Sequence, residues 1–316
     1  MRRMAVALAA CMLAGALIAD APEARAQGAD APLPEGARDV VWARADGTDF
    51  LARIFEPPER SEGPAPVIID VHGGVWNAGD RTYATIMDTG LANAGFLVVS
   101  IDYRDAPDYQ HPVASRDVTA AVRWVRVNAA ELGADPDRIG IMGSSSGGHL
   151  VLVAGLRPNA PEHHGTPIVG PDGTVAPHDD VDASVSFIGA LWPVSDPQAR
   201  YRYAIRTGNE GIVNFTDAYF ADEDAMLDAS APRIVTAGGL GELPPLLVVQ
   251  SGMDTNIPQE MTFDLLRAYQ ARDGKVDYAF YPNASHVFGA QASADTDDLI
   301  AAIADYARRR TAGGAP

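Results

Sequence analysis

Cysteine and positive charge are both scarce in this chain. Cys11 is the only cysteine among the 316 residues, so no disulfide can form within the chain and no cysteine cluster can bind a metal. Lysine and arginine together number 24, against 42 aspartates and glutamates, and the formal net charge is −18. So large an acidic excess argues against nucleic acid or an anionic membrane surface as a partner, and neither is expected.

The apolar run near the start is also too short for a membrane span. It covers residues 4–19, whereas a transmembrane helix needs roughly 20 apolar residues. Two arginines precede the run and Ala24-Arg25-Ala26 follows it, in the order typical of a secretory signal peptide. A lipid-modified Cys11 is a rival interpretation, but the apolar run continues well beyond it. We therefore expect a signal peptide over residues 1–26, cleaved after Ala26, and a secreted or periplasmic protein without a stable membrane anchor or a free thiol.

Beyond this segment, strand-like and helix-like patterns alternate. The continuous apolar run 66–71 is typical of a strand buried on both faces, and an opening pair of β-like runs flanks the turn signal Asp46-Gly47. Further strands are predicted at 96–101, 138–142, 183–188, 246–250 and 276–281, and helices at 113–132, 146–156, 258–272 and 292–309. This alternation predicts a single α/β domain over residues 27–316, with a mostly parallel central sheet covered by helices on both faces.

Two long segments interrupt the alternation, at about 158–182 and 192–243. Long connections inside a regular domain are commonly lids or binding loops, and we predict that the second forms a small cap or lid over the site. The first contains His163, His164 and His178. Because no helix fixes the spacing of these histidines, we expect no metal there, and any other ligand of the loop is left open.

A G-x-S-x-G sequence lies between a predicted strand and a predicted helix. It is Gly143-Ser144-Ser145-Ser146-Gly147, and the spacing of the two glycines places Ser145 at its centre. A sharp turn of this kind presents its central serine at the carboxyl end of the sheet, and small neighbours let other segments pass close by. Ser145 is the candidate nucleophile. The alternative is a serine-rich turn with no catalytic role. The residues around it in the sequence are needed to distinguish the two interpretations.

His72-Gly73-Gly74 follows directly after the buried strand at 66–71. A glycine pair in this place lets backbone N–H groups face an oxyanion, so we predict Gly73 and Gly74 as donors. The N–H of Ser146 is the third predicted donor, because it begins a helix whose positive end favours negative charge. His72 itself is expected to support the loop by hydrogen bonds.

Seven histidines compete for the role of general base. When a nucleophile occupies such a turn, the acid and then the histidine follow it in the chain, each after a late strand. Asp254 comes after the strand at 246–250 and His286 after the strand at 276–281, so we predict them as acid and base. His149 lies four residues beyond Ser145 on the following helix, where a packing role is expected.

Together these motifs resemble the α/β-hydrolase superfamily, and within it the hormone-sensitive-lipase-like and kynurenine-formamidase-like serine esterases. The likeness covers most of residues 27–316 and includes HGGVW at 72–76, DYRDAP at 102–107, DVTAAVRW at 117–124, DPDRI at 135–139 and GMDTNIP at 252–258. It implies the α/β-hydrolase fold and the same triad and oxyanion donors. Ser144, Ser146 and Val75-Trp76 depart from the pattern of many hormone-sensitive-lipase relatives, which favours the formamidase-like and short-chain esterase branch.

The resemblance implies a carboxylic ester hydrolase that works through an acyl-enzyme intermediate, without a cofactor or metal. Its substrate would be a small-molecule or oligomeric ester with a short-chain or aromatic acyl group. Trp76, Tyr103 and Trp192 are candidate walls of the substrate pocket. An arylformamidase-like amide hydrolase and a non-catalytic binding protein on a hydrolase scaffold are the alternatives, and no oligomeric state is predicted.

Overall fold

The computed structural model describes residues 33–59 and 63–312. The predicted signal peptide and Cys11 lie outside the described residues. Within them, no helix combines the length and the apolar character needed to cross a membrane.

An antiparallel hairpin opens the described part of the chain. Strands β1 (Ala37–Ala45) and β2 (Thr48–Phe55) are joined by Asp46-Gly47, and both turn residues have positive φ, at 53° and 79°. Such a two-residue turn matches the twist of the flanking strands and favours Asp-Gly. The sequence signal for this hairpin is therefore confirmed.

The remaining strands are β3 (Ala65–Val71), β4 (Leu97–Ile101), β5 (Ala134–Ser144), β6 (Ile168–Val169), β7 (Val175–Ala176), β8 (Phe187–Leu191), β9 (Leu246–Ser251) and β10 (Val276–Tyr281). Within the described residues they form one sheet in the order β10-β9-β8-β5-β3-β4-β2-β1-β6-β7. The six strands from β10 to β4 run parallel, and β2, β1, β6 and β7 continue the sheet antiparallel. The prediction of a mostly parallel sheet is confirmed.

Helices join most of the parallel strands. They are α1 (Thr85–Asn93), α2 (Val113–Val127), α3 (Ala129–Leu132), α4 (Ser146–Leu156), α5 (Pro197–Thr207), α6 (Glu210–Tyr219), α7 (Glu223–Asp228), α8 (Ala231–Ala237), α9 (Gln259–Gln270) and α10 (Ala294–Thr311). The central helix α4 buries every one of its residues and leads directly out of the serine turn. Two apolar clusters, one on each face of the sheet, form the core, with Ile69 and Val71 of β3 in one and Ile68 in the other.

One helix was missed in the sequence, and one predicted strand lies elsewhere. Helix α1 was not predicted, because its sequence has β-branched residues and a glycine, which give it little helical signal of its own. The strand predicted at 183–188 lies at Phe187–Leu191, since its pairing with β5 and β9 carries it through Gly189 to Leu191. The shift matters for the site, because Leu191 contacts the serine turn.

The two long segments have structure of their own. Residues 158–182 contain a short 3-10 turn (Pro161–His163) and strands β6 and β7, which extend the sheet beyond β1. Residues 192–243 contain the four helices α5 to α8.

Candidate active site

Ser145 occupies a strained backbone conformation between β5 and α4. Its φ is 54° and its ψ is −116°, a region that a residue with a side chain rarely adopts. Three backbone hydrogen bonds hold it there. The Ser145 N–H donates to the carbonyl of Leu191 at 2.9 Å, and its own carbonyl accepts from the N–H groups of His149 and Val194, both at 3.1 Å. Neighbouring strand and helix therefore fix the position of the serine.

The glycines on either side of Ser145 are required by close packing. A Cβ placed on Gly147 would lie 2.0 Å from the carbonyl oxygen of Val71, and one on Gly143 would lie 2.6 Å from that of Gly147. Real Cβ atoms do not approach backbone oxygens so closely. The G-x-S-x-G spacing thus lets the serine turn sit against the end of β3, where the His72-Gly73-Gly74 loop begins.

The structure brings Ser145, His286 and Asp254 together. His286 Nε2 lies 3.0 Å from Ser145 Oγ, and its Nδ1 lies 2.7 Å from Asp254 Oδ2. With Nδ1–H donating to the carboxylate, Nε2 is free to accept the serine proton. The Asp254 side chain is completely buried, whereas that of His286 is 19% exposed. A base within reach of a nucleophile and oriented by a third group is the arrangement needed for nucleophilic catalysis.

Asp254 is held by its own loop. Its second oxygen, Oδ1, accepts hydrogen bonds from the backbone N–H groups of Asn256 at 2.8 Å and Ile257 at 2.9 Å. This is an Asx-type turn, in which an aspartate bonds to the backbone two and three residues on. The turn leaves Oδ2 pointing at the histidine.

Gly73 passes directly beside the nucleophile. A Cβ on Gly73 would lie 3.1 Å from the carbonyl oxygen of Ser144 and 3.3 Å from Ser145 Cβ. Ser146 is the first residue of α4, so its N–H has no acceptor one turn earlier in the helix. The segments that carry the predicted donors therefore border Ser145, and their role as an oxyanion hole stays a prediction.

The loop after Gly73 is itself strained. Gly74 has a φ of 115°, and Val75 and Trp76 follow with φ of 52° and 64°. Two successive non-glycine residues in this region, one of them β-branched, need strong support from their surroundings.

Trp76 supplies that support by its burial. Its indole N–H donates to His149 Nδ1 at 3.1 Å, and its ring stacks on Tyr219 with centroids 5.1 Å apart. Burial lowers the pKa of His149 to about 3, so the imidazole is neutral, and its Nε2–H donates to the carbonyl of Ala229 at 3.1 Å. His149 thus has the packing role expected of it, linking the loop to the segment after α7.

His72 also supports the loop. Its Nδ1 donates to the carbonyl of Gly73 at 2.7 Å, and Tyr103 stacks on its ring and donates its hydroxyl to the His72 carbonyl at 3.1 Å. Burial lowers the pKa of His72, which keeps the imidazole neutral. These contacts fit a supporting role for His72.

The three aromatic residues predicted as pocket walls are buried instead. Trp76, Tyr103 and Trp192 expose 0%, 4% and 1% of their surface. Trp76 and Tyr103 pack behind the glycine loop, and Trp192 packs against Phe288, just beyond His286. The packing of the strained loops takes up the surface of these aromatic side chains.

The histidines of the 158–182 segment do not converge. His163 is buried and donates from Nδ1 to the carbonyl of Arg157 at 2.8 Å, and burial lowers its pKa to about 4. Among the residues that the structure describes, no group of three or more histidine, cysteine or acidic side chains is placed to hold a metal ion.

Sequence reasoning missed Arg200 and Asn256, which connect α5 to the loop of Asp254. Asn256 carried a weak signal, because it lies two positions after Asp254, where an Asx turn bonds to the backbone. Arg200 carried no such signal, because an arginine in a single helix is expected to be exposed at the surface.

Comparison with known proteins places the chain in a family. Residues 53–268, more than half of the chain, match the BD-FAE family. The chain belongs to this family. Among curated proteins, it is 32% identical to Esterase LipC of Mycobacterium tuberculosis over 259 residues, 80% of this chain and 60% of that protein. It is 40% identical to Carboxylesterase NlhH of the same organism over 123 residues, 38% of either chain.

Several solved structures share the fold. The chain superposes on EstE1, a thermostable carboxylesterase from a metagenomic library, with a TM-score of 0.70 and 24% identity, over 92% of this chain and 95% of that one. An esterase from Pyrobaculum calidifontis gives a TM-score of 0.69 at 23% identity, over 88% and 86%. The predicted α/β-hydrolase fold is therefore confirmed. The chain spans about 60% of the length of the first curated relatives it matches.

Proposed function

We propose that this protein is a serine esterase that hydrolyses carboxylic esters. The observation that supports this most strongly is the unbroken hydrogen-bonded series from Ser145 through His286 to Asp254, built on a strained turn. The names of the family's curated relatives, which are esterases and carboxylic ester hydrolases, agree with it.

The reaction proceeds in two steps. Ser145 Oγ attacks the ester carbonyl carbon while His286 Nε2 takes its proton, and Asp254 stabilises the resulting imidazolium. Backbone N–H groups of Gly73, Gly74 and Ser146 stabilise the oxyanion, and the alcohol leaves with the proton held by His286. Water then attacks the carbonyl carbon of the acyl-enzyme while His286 takes its proton. The carboxylic acid is released, and His286 returns the proton to Ser145 Oγ. Each such backbone donor is worth on the order of 10² to 10³ in turnover.

The substrate class we propose is a modest ester with a short-chain or aromatic acyl group. No metal or cofactor takes part in these steps. We further propose that the protein is exported, because basic, apolar and small residues follow one another in 1–26 as they do in a signal peptide. Amino-terminal sequencing of protein recovered from the periplasm or medium tests this, and a chain that still begins at Met1 contradicts it.

The decisive test compares Ser145→Ala with Ser144→Ala in hydrolysis of p-nitrophenyl acetate and butyrate. Ser145→Ala should lose nearly all turnover, whereas Ser144→Ala, which removes the neighbouring hydroxyl, should retain most of it. A fluorophosphonate probe should label the wild type at Ser145. Absence of labelling in folded protein would favour a non-catalytic binding protein, and faster hydrolysis of formanilide than of any ester would favour an amide hydrolase.

A further inference from the structure

Arg200 of α5 is a buried cation with an unusual partner. Only 1% of its surface is exposed, and a guanidinium so deep in a protein is usually paired with a carboxylate. Here Nε and Nη2 both donate to the neutral amide oxygen of Asn256, at 3.0 and 2.7 Å. Its Nη1 is buried without a hydrogen-bond partner among the described residues. Burial lowers the pKa of Arg200 to about 10, which still leaves it charged at neutral pH.

Asn256 connects this cation to the triad. Its side chain accepts from Arg200, and its backbone N–H donates to Asp254 Oδ1 at 2.8 Å. From Asp254 the hydrogen bonds continue through His286 to Ser145. The carboxylate of Asp254 also attracts the guanidinium directly, which favours the charged form of Arg200.

Arg200 also contacts the other catalytic loop. Its guanidinium carbon lies 5.7 Å from the ring centroid of Trp76, within the range of a cation–π interaction. Trp76 ends the strained segment that begins with Gly73 and Gly74. One side chain from the 192–243 segment therefore touches both the loop of the acid and the loop of the predicted oxyanion donors.

We propose that Arg200 is a positioning residue that holds the Asp254 loop and the Gly73-Gly74 loop in register for ester hydrolysis. The inference rests on the function proposed above. The two guanidinium N–H donors hold the side chain of Asn256, and the charged guanidinium plane holds the ring of Trp76. In this role Arg200 does not touch the substrate. A displacement of about 1 Å in a catalytic group can cost on the order of 10²-fold in rate, so both contacts bear on turnover.

Because the partner of Arg200 is a neutral amide, a positioning role and a stabilising role predict different changes in the melting temperature. Burial of a cation without a carboxylate partner carries a large desolvation cost, which an apolar side chain of similar volume does not carry. Arg200→Met should therefore leave the melting temperature unchanged or higher while activity falls. If Arg200 served only to stabilise the fold, the melting temperature would fall and the kcat of the folded variant would be unchanged.

The experiment compares four variants of the full chain: Arg200→Met, Arg200→Lys, Asn256→Ala, and Arg200→Met combined with Asn256→Ala. Arg202→Met is the matched control, because Arg202 lies on the same helix but is exposed and paired with Glu223 at 2.8 Å. The measurements are kcat and KM for p-nitrophenyl acetate, the rate of labelling by a fluorophosphonate, and the melting temperature. Hydrolysis of the ester and labelling by the probe both report on the triad. Neither compound carries an anionic group that Arg200 could bind.

Arg200→Met should lower kcat and the labelling rate by about 10- to 100-fold, with KM changed by no more than about twofold. Arg200→Lys should recover part of the loss, since it keeps the charge but not the fork. The double variant should be little worse than the more impaired single variant, because the two residues act in series. Should Arg200→Met fail to fold, Asn256→Ala tests the same connection.

Three results would overturn the inference: unchanged kcat in folded Arg200→Met and Asn256→Ala, a rise in KM with kcat preserved, or additive losses in the double variant. The second would instead indicate contact with the substrate. A wild-type protein that neither hydrolyses the ester nor reacts with the probe would refute the proposed esterase itself, which distinguishes that failure from a failure of the Arg200 inference.

Discussion

Two buried carboxyl groups on one face of the sheet should make the stability of this protein fall as the pH rises. Asp70 lies on β3, 1% exposed, and its only side-chain donor among the described residues is the Ser100 hydroxyl at 3.5 Å. Asp88 of α1 is fully buried, and neither of its carboxylate oxygens has a hydrogen-bond partner within the described part of the chain. Burial raises the pKa of Asp70 to about 7 and raises that of Asp88 well above its ordinary value.

The sign follows from proton linkage. Between the ordinary pKa of 3.8 and the folded value of about 7, the folded state keeps a proton on Asp70 that the unfolded chain has lost. Stability then falls as the pH rises, by about 1.4 kcal/mol for each pH unit. Over the full interval this amounts to about 4 kcal/mol, of which about 2 kcal/mol falls between pH 5 and pH 7, because the dependence flattens near the folded pKa. Asp88 acts in the same direction.

Replacement of Asp70 by asparagine tests this reasoning, because asparagine keeps the shape of the protonated acid and cannot ionise. Urea denaturation at pH 5 and pH 8 should show that Asp70→Asn gains about 3 kcal/mol over the wild type between the two pH values. Asp49→Asn is the control, since Asp49 is half exposed on the surface beside Arg44. If the difference between Asp70→Asn and the wild type is the same at both pH values, Asp70 is not protonated in the native state and the argument fails.

Two further outcomes follow from the site. Asp254→Asn should lower kcat by on the order of 10⁴-fold with a smaller change in KM, since an amide cannot hold His286 in the required tautomer; steady-state kinetics measure this, and a loss below about tenfold contradicts the role of Asp254. Gly147→Ala should lower the melting temperature by several degrees or prevent folding, because its Cβ would lie 2.0 Å from the Val71 carbonyl oxygen, whereas Gly241→Ala, with nothing within 4 Å, should melt like the wild type.

Sequence patterns located the elements that flank the site because those elements have strong local signals. Helix α4 and strand β10 lie at the predicted residues 146–156 and 276–281. The glycine spacing around Ser145 reflects contacts that leave no room for a Cβ, so a short motif was sufficient to find it. Since Asp254 and His286 each follow a late strand, chain order was enough to single them out from the other acids and histidines.

The residues that pack behind the site have no comparable signal in the sequence. Arg200 lies in a helix whose sequence is as polar as a surface helix, and its burial depends on where α5 packs against the Asp254 loop. The burial of Trp76 likewise depends on Tyr219, 143 residues later in the chain. Contacts between distant segments are set by the whole fold, and neither periodicity nor spacing in one segment can report them.

Backbone strain is concentrated around Ser145. Of the seven non-glycine residues with positive φ in the described part of the chain, five belong to the loops of the site: Val75, Trp76, Ser145, Trp192 and Val287. Each such conformation costs on the order of 1 to 3 kcal/mol and persists only where the surroundings enforce it. Trp76 and Trp192 are almost completely buried, so the packing that stabilises the core also enforces the conformation of the loops. The aromatic residues predicted as pocket walls therefore act on the site from behind, by keeping Ser145, His286 and the glycine loop in a geometry that none of these segments would adopt alone.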